Sequence, residues 1–291
     1  MKLINQSFEI ITQEDFSLIG IKKFIEKCGR VCYKSEDRIT DNSYEKFVNM
    51  LEKKDHSRPL EFGTVHLKVP EGKEFKEFVD SLLEVDLYDS IWIQYNPTRD
   101  DVYITTNYRM YLKILNEQPW VSKYFTEENN NYYPKRYTVH MIISRGIMDE
   151  FRTHVGLSHL AESTRYCSYD KNRFNNEITC VIPHYCPDLI EGNSYDLTIC
   201  EYGLTDSEDL SDKSAKWIES MCQAEQNYMD LINEGCTAQE ARDVLPLGVK
   251  SELISCGFED AWSNFFYRRC AKDAHPMARE IANKIAKELL I

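Results

Sequence analysis

The chain has 291 residues, of which 42% are hydrophobic, 29% charged and 12% aromatic, the balance of a folded protein with a sizeable core. A net charge of -13 argues against sequence-blind nucleic-acid binding, which needs a clustered basic surface, so any anionic ligand must meet a local pocket of arginines. The start MKLINQSFEI is interrupted by Asn5, Gln6 and Glu9 and lacks the apolar core of a secretory leader, and no apolar run approaches the roughly 20 residues of a membrane helix. The cysteines then read as reduced thiols, and the expected compartment is the cytoplasm, with no membrane or nucleic-acid partner.

Taken in chain order, Phe16, Ile19, Ile25 and Cys28 predict a first helix, and Ser43 can cap a second that carries Phe47, Val48 and Leu51. Val65, Leu67 and Val69 alternate with Thr64, His66 and Lys68, the period of a half-exposed strand. Further strands are expected over 137–143 and 177–182, the second ended by Pro183. Between them Met148, Phe151 and Val155 keep a helical period, after which 158–169 reads as a polar turn. The segment at about 191–212 carries Glu191, Asp196, Glu201, Asp206, Glu208, Asp209 and Asp212 without a basic residue and reads as an inserted, solvated loop.

The remainder reads as helices. One runs through Trp217, Met221 and Tyr228 to a stop at Gly235, and a short one opens with the capping box Thr237 to Glu240. Another has Trp262, Phe265, Phe266 and Arg269 at i, i+3, i+4 and i+7; in the last, Pro276 opens a stripe of Met277, Ile281, Ile285 and Leu289. With no repeat or composition break, residues 1–291 are expected to form a single α+β domain with a mixed or antiparallel sheet and a helical C-terminal part.

Ser163, Thr164, Arg165 and Tyr166 put hydroxyls, a guanidinium and a phenol on irregular chain after a helix, a set suited to an oxyanion such as phosphate. A nucleophilic Ser163 would need His154 or His159 as its base. Arg242 and Arg269, taken alone, also fit ordinary exposed or snorkelling arginines. Cys180, His184, Cys186 and Cys200 are zinc-type ligands, but their separations match none of the usual paired spacings, and no metal is expected.

Four segments carry a resemblance, in order. His56-Ser57-Arg58-Pro59-Leu60-Glu61-Phe62 is similar to H-x-[ST]-P-x-E-H with one residue displaced before the proline. Arg145-Gly146 through His154 and Ser158 to Ser163-Thr164-Arg165-Tyr166 is similar to an arginine-glycine pair, an R-H-R triplet, a serine and an R-Y dipeptide. Ala241 to Leu247 is similar to A-R-x-V-L-P, and Trp262 to Arg269 with His275 and Glu280-Ile281 is similar to W-x-x-F-x-x-x-R…H…E-I. Together they resemble the flavin-dependent thymidylate synthase (ThyX) family. Two signature arginines differ: the R-H-R triplet falls on Thr153-His154-Val155, with Arg152 one residue early and about 100° round a helix. The family glutamate before the serine falls on Ala161, with Glu162 adjacent.

The resemblance implies a ThyX-like fold, a homotetramer, and methylation of dUMP to dTMP with FAD as cofactor and NADPH and methylenetetrahydrofolate as co-substrates. It implies that Glu150, Arg152, Thr153, Ser163, Thr164, Arg165, Arg242 and Arg269 contact dUMP, with Arg165 on the phosphate. Arg269 would be catalytic at the uracil edge, where a cation favours ionisation of the ring imide. Arg58, Glu61, Thr153, His154, Val155, Glu162 and Asn264 would contact FAD, and Ser163 would bind substrate rather than attack it. The alternative is a non-catalytic nucleotide-binding relative that kept Arg165, Arg242 and Arg269 but lost FAD.

Overall fold

The computed structural model describes residues 1–54, 56–83, 90–95, 100–165, 167–169, 174, 176–197 and 210–290. In chain order the first half contains β1 (Lys2–Ile4), β2 (Ser7–Ile11), α1 (Leu18–Val31), α2 (Ser43–Lys53), β3 (Thr64–Pro70) and α3 (Lys73–Leu83). It continues with β4 (Ile91–Tyr95), β5 (Asp101–Asn107), α4 (Tyr108–Glu117), β6 (Phe125–Thr126) and β7 (Arg136–Ser144). The second half contains α5 (Arg145–Phe151), β8 (Ser158–Ala161), β9 (Thr179–Val181), α6 (Asp212–Asn233) and α7 (Ala238–Ala241). It ends with β10 (Lys250–Phe258), α8 (Glu259–Arg269) and α9 (Pro276–Leu289), so the chain is α+β.

The sheet that positions the site has the order β2-β7-β10-β8, every pair antiparallel. Side chains alternate across it. Val139, Met141, Ile143 and Leu253 pack under α5, α8 and α9, while Leu160, Ile254 and Cys256 face Phe24, Cys28 and Val31 of α1. A second antiparallel sheet, β4-β5-β3-β6, buries Val65, Leu67, Val69, Val102 and Ile104 against α2, α3 and α4. A parallel pair, β1 with β9, packs Leu3 and Cys180 against Ile218, Cys222 and Tyr228 of α6.

Several sequence expectations shift. Phe16 precedes α1 and Ile19 is 53% exposed; the buried stripe is Ile21, Phe24, Ile25 and Cys28, after Ser17 Oγ accepts the Gly20 N–H at 3.0 Å. Ser43 is the first residue of α2 rather than its cap, and its hydroxyl reaches Glu26 at 2.8 Å. β3 is buried on both faces because Phe16 and Tyr133 stack on either side of His66, at 4.4 and 4.0 Å between ring centroids. Residues 158–161 form an edge strand, not a turn, because β10 offers it a partner. Of the acidic segment, 198–209 lies outside the described residues, as does Cys200. Among the described residues no helix is long and apolar enough to cross a membrane.

Candidate active site

The helix α5 is short for a reason visible in its ends. Ser144 caps its start, and at its far end the Thr153 hydroxyl donates to the Glu150 carbonyl at 2.7 Å, closing the last turn before Gly156, at φ 88, reverses the chain into β8. Arg269, in the last turn of α8, reaches this end. Its Nη1 donates to Glu150 Oε2 at 2.6 Å, Nη2 to the Glu150 carbonyl at 2.7 Å, and Nε to His154 Nε2 at 2.7 Å. The guanidinium is thus aimed by three bonds, while its remaining N–H groups are left with at most the long 3.5 Å contact to Thr153.

His154 accepts from Arg269, so its ring is neutral. Its burial comes first, and the neighbouring Arg269 charge second, in lowering its pKa to about 4. His159 is also lowered to about 4, mainly by burial; its Nδ1 meets Ser255 Oγ at 2.8 Å and its Nε2 meets the His154 carbonyl at 3.3 Å. Neither ring is bonded to Ser163.

A second set of polar contacts joins the start of α5 to the chain carrying Thr164 and Arg165. Arg145 Nη1 donates to Thr164 Oγ1 at 3.2 Å, and Arg165 Nε donates to Gln239 Oε1 at 2.9 Å. Gln239 precedes Arg242 by three residues, so Arg165 and Arg242 are drawn to one short helical segment. The chain carrying Ser163 is pinned by backbone bonds from Glu162 to Glu252 at 2.8 Å and from Ser163 to Cys32 at 3.1 Å.

Glu61 lies at the edge of the same sheet. One carboxylate oxygen takes Arg109 at 2.5 Å and the other takes the Ser158 hydroxyl at 2.6 Å, while Arg136 holds its carbonyl at 2.7 Å. Arg58, one turn earlier, is exposed. Arg152 is exposed beside Asp149 at 3.7 Å, Asn264 is exposed on α8, and Val155 is 81% exposed on the turn after α5, not on a helix face.

Glu162 points inward. Lys250 Nζ donates to its Oε2 at 2.9 Å and its other oxygen has no partner. Lys250 also pairs with Glu252 at 2.5 Å, and Glu252 holds Lys34 and, at 2.9 Å, His140. Burial raises the Glu252 pKa, but the His140 bond and the Lys250 and Lys34 charges outweigh it and hold the carboxyl well below the usual range. This buried network, with Arg109 and Gln239, is what sequence reasoning missed. The available signal was Lys250 and Glu252 on the same face of an otherwise apolar strand.

Residues 135–290 match the family described as thymidylate synthase complementing protein. The chain belongs to that family. The matched span runs from β7 to the end of α9 and contains every residue above except Cys32, Lys34, Arg58, Glu61 and Arg109. No curated protein matches the chain. Among solved structures, it is similar to a UMP/dUMP methylase, PolB, from Streptomyces cacaoi, at 12% identity and a TM-score of 0.43. That similarity covers 99% of this chain and 92% of PolB bound with 5-Br dUMP, or 91% of PolB bound with 5-Br UMP.

Proposed function

We propose that this family member is a flavin-dependent thymidylate synthase. The reaction is dUMP, methylenetetrahydrofolate, NADPH and a proton giving dTMP, tetrahydrofolate and NADP. The observation that carries the reading is the Arg269 clamp, a guanidinium fixed by Glu150 and His154 at the end of α5 with N–H groups to spare.

Arg165 and Arg242 would bind the dUMP phosphate, helped by the Ser163 and Thr164 hydroxyls. Arg269 would face the uracil edge, stabilising the ionised imide, and a neutral His154 preserves that cation because it takes a hydrogen bond without competing for charge. Ser163 serves as a hydrogen-bonding group: both nearby histidines are already bonded elsewhere, so neither is poised as its base.

The residues fit a flavin. Tyr33, Pro59 and Leu160 floor a hollow of about 350 Å³ that Arg58 and His56 border, suited to a flat ring beside a cation. Arg58, Glu61, Thr153, His154, Val155, Glu162 and Asn264 are the residues proposed to hold FAD, and among these Glu162 would act through the backbone it anchors. When bound, the flavin supplies hydride drawn from NADPH. We further propose that the assembly is a tetramer.

One observation favours the second reading, a nucleotide binder without FAD: Val155 and Thr153 stand at the signature arginine positions, and Val155 is 81% exposed. An absorbance spectrum with added FAD, followed by an assay for dTMP with all co-substrates, separates the two. Flavin uptake with dTMP formation supports the synthase; dUMP binding with neither supports the alternative.

A further inference from the structure

Phe47 and Met50 of α2 and Lys54 just past its end, with Arg38 from the turn after α1, wall a hollow of about 500 Å³. It shares two lining residues, Tyr33 and His56, with the smaller hollow. Among the described residues no carboxylate lines either hollow. In a chain of net charge -13 this absence selects for negative charge. Arg30 is committed to Glu26 at 2.6 Å, but Arg38 and Lys54 are exposed and ion-paired to no described residue.

We propose that Arg38 and Lys54 bind the anionic end of a co-substrate. The inference rests on the synthase reading: a reagent that exchanges hydride or carbon at a ring seated over Tyr33, Pro59 and Leu160 must touch that ring. Its remainder then extends past Tyr33 and His56 into the larger hollow. Both reagents of the reaction end in several negative charges, the glutamyl carboxylates of the folate or the phosphates of the nicotinamide nucleotide. Long flexible cations on a hollow that Arg30, His56, Ser35 and Ser168 also line suit either, and exposure keeps their own desolvation small.

Titration calorimetry on the full chain tests this with three probes: tetrahydrofolate with one glutamate, the same with three, and NADPH. The protein is compared with Arg38→Gln/Lys54→Gln, both changes on exposed side chains. The expected result is that the triglutamate binds at least tenfold tighter than the monoglutamate and that the gap closes in the variant. A tenfold loss for NADPH with folates unaffected also supports the proposal and identifies the phosphate source. Affinities within twofold for all three probes, or no binding of any probe to the unaltered protein, overturn it. dUMP conversion by the unaltered protein reports on the synthase reading separately, so normal conversion with unchanged probe affinities removes the groove assignment alone.

Discussion

Arg269 is where side-chain chemistry and position agree most closely. A lysine there would keep the charge but reach one of Glu150 Oε2, the Glu150 carbonyl and His154 Nε2 at a time, whereas the planar fork reaches all three. Arg269→Lys should therefore lower kcat/KM for dUMP by about 10- to 100-fold, the equivalent of one charged hydrogen bond lost or misaimed, roughly 1.5–3 kcal/mol. Steady-state kinetics with a thermal melt checks it, and unchanged kcat/KM in a folded variant removes the assignment. The resemblance named Arg269, Glu150 and His154, the first two toward dUMP and the third toward FAD, and the structure joins all three by hydrogen bonds. The resemblance named Glu61 but not its bonds to Arg109 and Ser158, which lie 48 and 97 residues away and are met only in the folded chain.

At the level of elements, the helices of the C-terminal half announce themselves by period and caps, and α6, α7, α8 and α9 stand close to where their patterns put them. The strand β10 did not, because Lys250, Glu252, Ser251 and Ser255 break the apolar reading; their burial makes sense only with Glu162, His140 and Lys34 beside them. Lys250→Met should leave Glu162 buried without its counter-ion and destabilise by about 3–5 kcal/mol, while adding Glu162→Leu should recover most of the loss. Urea unfolding of both variants decides this; a single variant as stable as the parent would show the pair to be dispensable. The turn from α5 to β8 gives the opposite case. Val155 is 81% exposed, so Val155→Arg buries no charge. Its melt should be unchanged and, if FAD binds along this edge, its affinity for FAD should rise about tenfold or more by one charged contact. A collapsed melt would show that the turn is covered in the assembled protein.

Across the whole molecule, the layers follow from alternation in two antiparallel sheets, but which faces become doubly buried depends on distant chain. His66 shows this: it sits in a strand that reads as half exposed, yet it is stacked between Phe16 and Tyr133 and 2% exposed. Burial lowers its pKa to about 4, as it does for His154 and His159. Between an unfolded value near 6.5 and the folded value near 4, the unfolded chain binds protons that the native state refuses, so stability must fall as pH drops through that window. His140 acts in the other direction: burial lowers its pKa, but the bonds to Glu252 and Glu9 outweigh this and raise it, so its contribution is full below 6.5 and fades as pH rises through its folded value. Three groups against one leave acid as the destabilising side, on the order of 1–2 kcal/mol for each neutral histidine at pH 5. His66→Phe keeps the ring stack and forfeits only the bond from Nδ1 to the Glu128 carbonyl at 2.9 Å. Melts at pH 7 and pH 5 should show a clear drop in Tm for the unaltered protein and a drop smaller by about a third for the variant. An equal drop in both would mean that His66 opens to solvent and takes its proton before the fold is lost.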